Sequence, residues 1–202
     1  YVLGGAMSTP LVARTQALMG RKASFQLGLV VAALSALLCA YAASANNFWL
    51  LVIATVVAGF YSANAHLYRF AAAELAAPAF KEKAVSLVLA GGLVGAVLGP
   101  NLASITKDWL ATPFAAAYVS LAVVALLAMV MVQGIQFPPE APRSLAKSGR
   151  PLREIMRQPV FIVSAAGAAL GYGVMNLLMA ATPIAMQQCK HPFSDAALVL
   201  EW

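Results

Sequence analysis

Residues 133–157 read QGIQFPPEAPRSLAKSGRPLREIMR. Five of them are basic (Arg143, Lys147, Arg150, Arg153, Arg157) and four are proline (Pro138, Pro139, Pro142, Pro151). Proline withholds a backbone donor and clustered charge requires water, so the stretch reads as an extended, solvated linker. On either side the chain turns apolar, over about residues 113–133 and again over 159–183. Each run is near the ~20 residues that a helix needs to cross hydrocarbon.

The remaining basic residues also fall between apolar runs. The gaps hold, in order, three (Arg14, Arg21, Lys22), none, three (Arg69, Lys81, Lys83), one (Lys107), the five above and one (Lys190), which accounts for all 13. Rich gaps alternate with poor ones. That is the positive-inside pattern of a polytopic helical membrane protein, and it orients every segment. Trp49, Trp109 and Trp202 lie beside the poor gaps, as interface anchors do.

Composition agrees. The chain is 62% hydrophobic and 10% charged, against about a quarter charged in a soluble domain. The net charge of +6 does not indicate nucleic acid, because the basic residues collect on one side of a bilayer. Cys39, Cys189, His66 and His191 show no metal-ligand spacing, and no phosphate loop or nucleophile elbow is present. No cofactor and no catalytic residue is expected.

The expected fold class is an all-α membrane protein, a polytopic transmembrane helical bundle. Five full spans are expected at about 23–44, 48–68, 84–106, 113–133 and 159–183. The first apolar run, 1–13, is too short to cross, the chain opens on Tyr1, and 196–202 begins another apolar run. The chain therefore reads as part of a longer protein, truncated at both ends. Its expected organisation is a first bundle over 1–133, a basic linker over 134–158 and the beginning of a second bundle over 159–202. Leu152, Ile155 and Met156 share a helical face, which predicts a short interfacial helix leading into the last span.

Inside the spans, charge is nearly absent, so no carboxylate proton relay is expected. His66 is either a headgroup-level or packed histidine, or a proton carrier. Gly91, Gly95 and Gly99 recur every four residues and are followed by Pro100. They form a stripe without side chains, suited either to static close packing or to a contact that moves. Tyr61, Asn64 and Tyr68 share one face at i, i+3 and i+7, and Tyr172 and Asn176 another at i and i+4. An asparagine in hydrocarbon either bonds to a neighbouring helix or lines a wet cavity.

With its basic loop set between two bundles, the chain resembles the major facilitator superfamily of secondary transporters. It would run from within that family's second helix to the start of its eighth. Gly20-Arg21-Lys22 matches the end of the family's cytoplasmic loop motif. Ala17, Leu18 and Ala13 stand where the motif has Asp, a basic residue and its first Gly. Gly95, Gly99 and Pro100 match a fifth-helix pattern of family antiporters, while Thr55 occupies the fourth-helix Arg position of proton-coupled relatives.

The resemblance implies a cavity lined in part by Tyr61, Asn64 and Tyr68 and by Tyr172 and Asn176. The expected function is secondary active transport of a small solute across the cytoplasmic (inner) membrane by alternating access. A coupling ion such as a proton, a lipid bilayer and a monomeric state are the expected partners. The alternative is a polytopic membrane enzyme or an assembly factor.

Overall fold

The computed structural model describes residues 1–137, 152–190, 192, 195, 196, 198 and 199. These residues form α1 (Val2–Ser44), α2 (Phe48–Ala65), α3 (Tyr68–Leu75), a 3-10 turn (Pro78–Phe80), α4 (Lys81–Thr106), α5 (Ala115–Gln133), α6 (Leu152–Met156) and α7 (Pro159–Gln188). No strand occurs among the described residues. The chain divides into two compact units, Tyr1–Pro139 and Glu140–Trp202.

Five stretches are long and apolar enough to cross a membrane: Val2–Ser44, Phe48–Leu75, Pro78–Thr106, Ala115–Gln133 and Pro159–Gln188. Large apolar side chains stand outward on them, with Leu18 85%, Met131 77% and Val160 77% exposed. Water would penalise such a surface, whereas lipid solvates it. Helices satisfy the backbone internally, as hydrocarbon demands. The protein is an all-α, multi-pass membrane protein.

The first unit departs from the sequence expectation at its start. The helix does not stop near residue 13 but continues past Arg14, whose exposed, flexible side chain can carry its charge to the interface. It breaks at Gly20, at φ 78° and ψ 169°, a region that a Cβ all but forbids. α1 is therefore two arms, 2–19 and 21–44. The second arm turns into α2 through Asn46, left-handed at φ 50°. Asn47 then caps α2, its side chain accepting from the Leu50 N–H at 3.1 Å.

α2 ends at Ala65, earlier than the expected 68, and Tyr68 begins α3 after a two-residue turn. α4 begins at Lys81 rather than 84 and remains one helix through Pro100. α5 is entered through Phe114, left-handed at φ 64°, whose N–H donates to the Lys107 carbonyl at 2.8 Å.

α1 packs against α2 and α5, while α4 packs on α3 and α5. The core clusters Phe25, Leu29, Ala71 and Val132. Elsewhere the contacts use alanine: Ala33, Ala36 and Ala40 on α1, and Ala117, Ala122 and Ala125 on α5. Small side chains let helix backbones approach, since lipid offers no hydrophobic drive for helices to associate. The closest approach is at Gly4 and Gly59, where a Cβ on either would overlap the other helix's backbone.

In the second unit, α6 precedes α7 and Pro159 occupies the first turn of α7, where its missing N–H costs nothing. α7 continues through Pro183 to Gln188, beyond the expected 183. Most of the linker sequence, residues 138–151, and residues 197 and 200–202 of the final apolar run lie outside the described residues.

Candidate functional site

The second arm of α1, together with α2 and α5, surrounds a cavity of about 360 Å³. Ligand pockets start at about 300 Å³, so the space suits a small ring system. α1 contributes Ala32, Ser35, Ala36 and Cys39, one face at helical spacing. α2 contributes Thr55, Ala58 and Tyr61, and α5 contributes Tyr118, Leu121, Val124, Ala125 and Ala128. Tyr1 completes the lining. No Asp, Glu, Lys, Arg or His is among these lining residues.

The cavity's hydroxyls are partly engaged. Ser35 Oγ donates to the Ala32 carbonyl at 2.9 Å and Thr55 Oγ1 to the Val52 carbonyl at 2.8 Å. Both retain lone pairs, so they can accept from a ligand but not donate without releasing the backbone. Apolar walls, aromatic rings and a few oxygen acceptors therefore line the space.

The structure separates the sequence-selected residues. Tyr61 lines the cavity. Asn64 is fully buried and faces α1: its Oδ1 accepts from Ser24 Oγ–H at 3.2 Å and its Nδ2 donates to the Phe60 carbonyl at 3.2 Å. Tyr68 stacks on Phe25 with ring centroids 4.5 Å apart. The face shared by these three residues is thus turned to the second arm of α1, and of the three only Tyr61 reaches the cavity. Tyr172 and Asn176 belong to the other unit, where Asn176 Nδ2 donates to the Tyr172 carbonyl at 2.8 Å. His66 is the exposed C-cap of α2.

Gly91, Gly95 and Gly99 face open space, with nothing among the described residues within 4 Å of a Cβ built on them. Gly99 and Pro100 border a second cavity of about 340 Å³, closed on its other side by Ala117, Tyr118 and Leu121 of α5. Tyr118 and Leu121 therefore border both cavities.

Gly20, Arg21 and Lys22 meet at the basic end of the first unit. Gly20 supplies the turn, and Arg21 then forms an ion pair with Glu74 on α3. Lys22 Nζ donates to the Gln133 carbonyl at the end of α5, at 2.7 Å. Ala17 stands at the acidic position of the family motif, and the acid that meets Arg21 comes from α3 instead. Beside the pair lies a third cavity of about 330 Å³, bordered by Gln16, Arg21, Phe25, Leu67, Phe70 and Glu74. Gln16 Nε2 and Tyr68 Oη are buried with no hydrogen-bond partner among the described residues.

Sequence reasoning passed over Ser35, Cys39 and Tyr118. The i, i+4 spacing of Ser35 and Cys39 was a usable signal, since it places two small polar groups on one face of a span. Tyr118 gave none, because α5 is apolar all round and its inward face has no periodic mark.

Among proteins of known sequence, the chain is 36% identical over 205 residues to the riboflavin transporter RfnT of Brucella anthropi, a match covering 100% of this chain and 52% of that protein. It is 24% identical over 216 residues to the uncharacterized MFS-type transporter YddS of Bacillus subtilis, covering 99% of this chain and 50% of that one. The chain thus spans about half the length of the curated relatives it matches. No solved structure matches it significantly. The family model of the Major Facilitator Superfamily matches residues 1–200, and with that match the multi-pass helical chain belongs to this superfamily of membrane transporters.

Proposed function

We propose that the chain is part of a membrane-embedded secondary active transporter for a small, neutral, planar heteroaromatic solute of the riboflavin class. The single observation that carries this reading is the 36% identity, along the whole chain, to a transporter named for riboflavin. The cavity supports it physically. A fused ring system needs apolar walls and aromatic neighbours, and Tyr61, Tyr118, Leu121 and Val124 provide them. The lining residues that this chain supplies are uncharged, which is compatible with an uncharged ring. Tyr61 is the proposed solute contact on α2, and Tyr172 and Asn176 are the proposed contribution of α7. Asn64 and Tyr68 are proposed to support Tyr61 from behind. The basic end with Gly20, Arg21 and Lys22 is the proposed cytoplasmic face, and the cytoplasmic membrane the proposed location. Alternating access is the proposed mechanism.

The relatives favour this over a membrane enzyme or an assembly factor. The test is uptake of radiolabelled riboflavin by the full-length transporter that contains this chain, in a bacterial host lacking its own riboflavin uptake. Saturable uptake competed by unlabelled riboflavin is expected. Absence of riboflavin uptake, with saturable transport of an unrelated ionic solute, would overturn the solute assignment.

A further inference from the structure

Three side chains, Ser24 and Asn64 buried and Thr15 partly so, connect both arms of α1 to α2. Thr15 lies on the first arm, Ser24 on the second, and Asn64 near the end of α2. Thr15 Oγ1 and Ser24 Oγ are 3.0 Å apart across the Gly20 break. Ser24 Oγ is 3.2 Å from Asn64 Oδ1, and Asn64 Nδ2 donates to the Phe60 carbonyl at 3.2 Å. Ser24 and Asn64 are both fully buried.

Proton counting orders the chain. Two hydroxyl protons serve three contacts, because Thr15 Oγ1 also lies 3.0 Å from the Val12 carbonyl. Val12 sits within the first arm, where the helical ladder already supplies its carbonyl with a backbone donor. Asn64 Oδ1 has no such alternative: buried in an apolar bundle, it loses the one side-chain donor that reaches it among the described residues if Ser24 turns away. One assignment satisfies the buried amide and links both arms. Ser24 donates to Asn64 and Asn64 to Phe60, while the Thr15 hydroxyl proton is shared between the Val12 carbonyl and Ser24 Oγ. Gly28 makes the room, since a Cβ there would stand 3.2 Å from the Asn64 side chain.

We propose that Thr15, Ser24 and Asn64 are positioning residues that set the angle between the two arms of α1 at Gly20. Gly20 has no Cβ, and nothing lies within 4 Å of where one would stand, so the break has little steric rigidity of its own. The ion pair Arg21–Glu74 at the rim is half-exposed and screened by salt. The buried Ser24–Asn64 link is neither. It therefore holds the joint when the outer tie is broken, and the two arms keep their angle.

The test uses the full-length transporter with Cys189→Ser and a reporter Leu18→Cys, chosen because Leu18 is 85% exposed beside the joint. Two quantities are read: the labelling rate of that cysteine by a maleimide, and KM and maximal rate for radiolabelled riboflavin, normalised to protein in the membrane. Ser24→Ala cuts both links, whereas Thr15→Val cuts only the arm-to-arm link and leaves Asn64 bonded. Ser24→Ala is therefore expected to raise labelling about fivefold and Thr15→Val about twofold, while Thr15→Ser restores the parental rate. The maximal rate should fall in the same order, with KM within about twofold. Ser24→Ala combined with Asn64→Leu should be no worse than the stronger single variant, because the two groups act as one chain.

A several-fold rise in KM for Asn64→Leu with unchanged labelling would overturn the proposal and place Asn64 on the solute. Equal labelling for Ser24→Ala and the parent would overturn it as well. Should Asn64→Leu fail to reach the membrane, Ser24→Ala, Thr15→Val and Thr15→Ser decide the matter alone. The labelling arm needs no solute, so failure of this inference and failure of the transporter reading are told apart.

Discussion

Lys22 Nζ donates to the carbonyl of Gln133, 111 residues further along the chain, at 2.7 Å. One turn on, Gln26 Nε2 donates to the Met129 carbonyl at 3.1 Å. Two residues one turn apart on α1 thus reach two carbonyls one turn apart on α5. Gln133 closes α5, so its carbonyl has no partner within the helix and carries the negative end of the helix dipole. The lysine satisfies both demands and ties the start of the second arm to the end of the last helix of the unit.

Lys22→Met removes the donor and the charge together. A loss of about 0.5–1.5 kcal/mol is expected, which lowers the melting temperature in detergent by about 2–4 °C. Lys22→Arg should retain most of it. Fluorescence-monitored unfolding of the purified transporter checks this, and a Lys22→Met protein that melts with the parent would show the tie to be idle.

The Arg21–Glu74 pair is weaker, because its side chains remain 31% and 53% exposed. Its coupling should lie below about 1 kcal/mol. Arg21→Glu alone places two acids together, and the exchange Arg21→Glu with Glu74→Arg should recover most of the lost stability. At about 1 M salt the Debye length is about 3 Å and the difference between single and double variants should shrink. A coupling that is large and indifferent to salt would show that the pair is buried in the working protein.

The glycines of the first unit should rank by the space around them. Gly59→Ala drives a methyl into the backbone at Gly4 and should cost about 1–3 kcal/mol or more. Gly28→Ala meets the Asn64 side chain, which can shift, and should cost less. Gly20→Ala meets no neighbouring atom but must adopt φ 78°, so its cost of about 1–3 kcal/mol is backbone strain alone. Thermal unfolding of the three variants gives the order, and Gly59→Ala as the mildest would contradict the helix crossing.

Tyr61 is the residue at which the cavity assignment can fail. Tyr61→Phe keeps the ring and should leave riboflavin KM within about twofold, whereas Tyr61→Ala loses an aromatic contact of about 0.5–1.5 kcal/mol and should raise KM up to about tenfold. Uptake kinetics decide between them. Identical KM values for the parent and Tyr61→Ala would remove α2 from the solute path.

The sequence alone sets the solvent, the segments and the family. Long apolar runs with few charges require lipid, and lipid requires helices, so the spans follow from chemistry that acts residue by residue. Their ends are less legible. Arg14 suggested a loop, but a single long basic side chain can reach the interface from within a helix, and the chain turns at Gly20 instead. Tertiary structure alone decided the partners. By sequence, Asn64 either bonds to a neighbouring helix or lines a wet cavity. Nothing near it in sequence shows that Ser24 lies opposite, 40 residues away. Gly4 and Gly59 carry no side chains to announce that their backbones touch, and Glu74 is matched to Arg21 only once α1 and α3 are side by side. Hydrophobicity is a property of each residue and survives in the sequence. Contact belongs to pairs, and pairs exist only after the helices have packed.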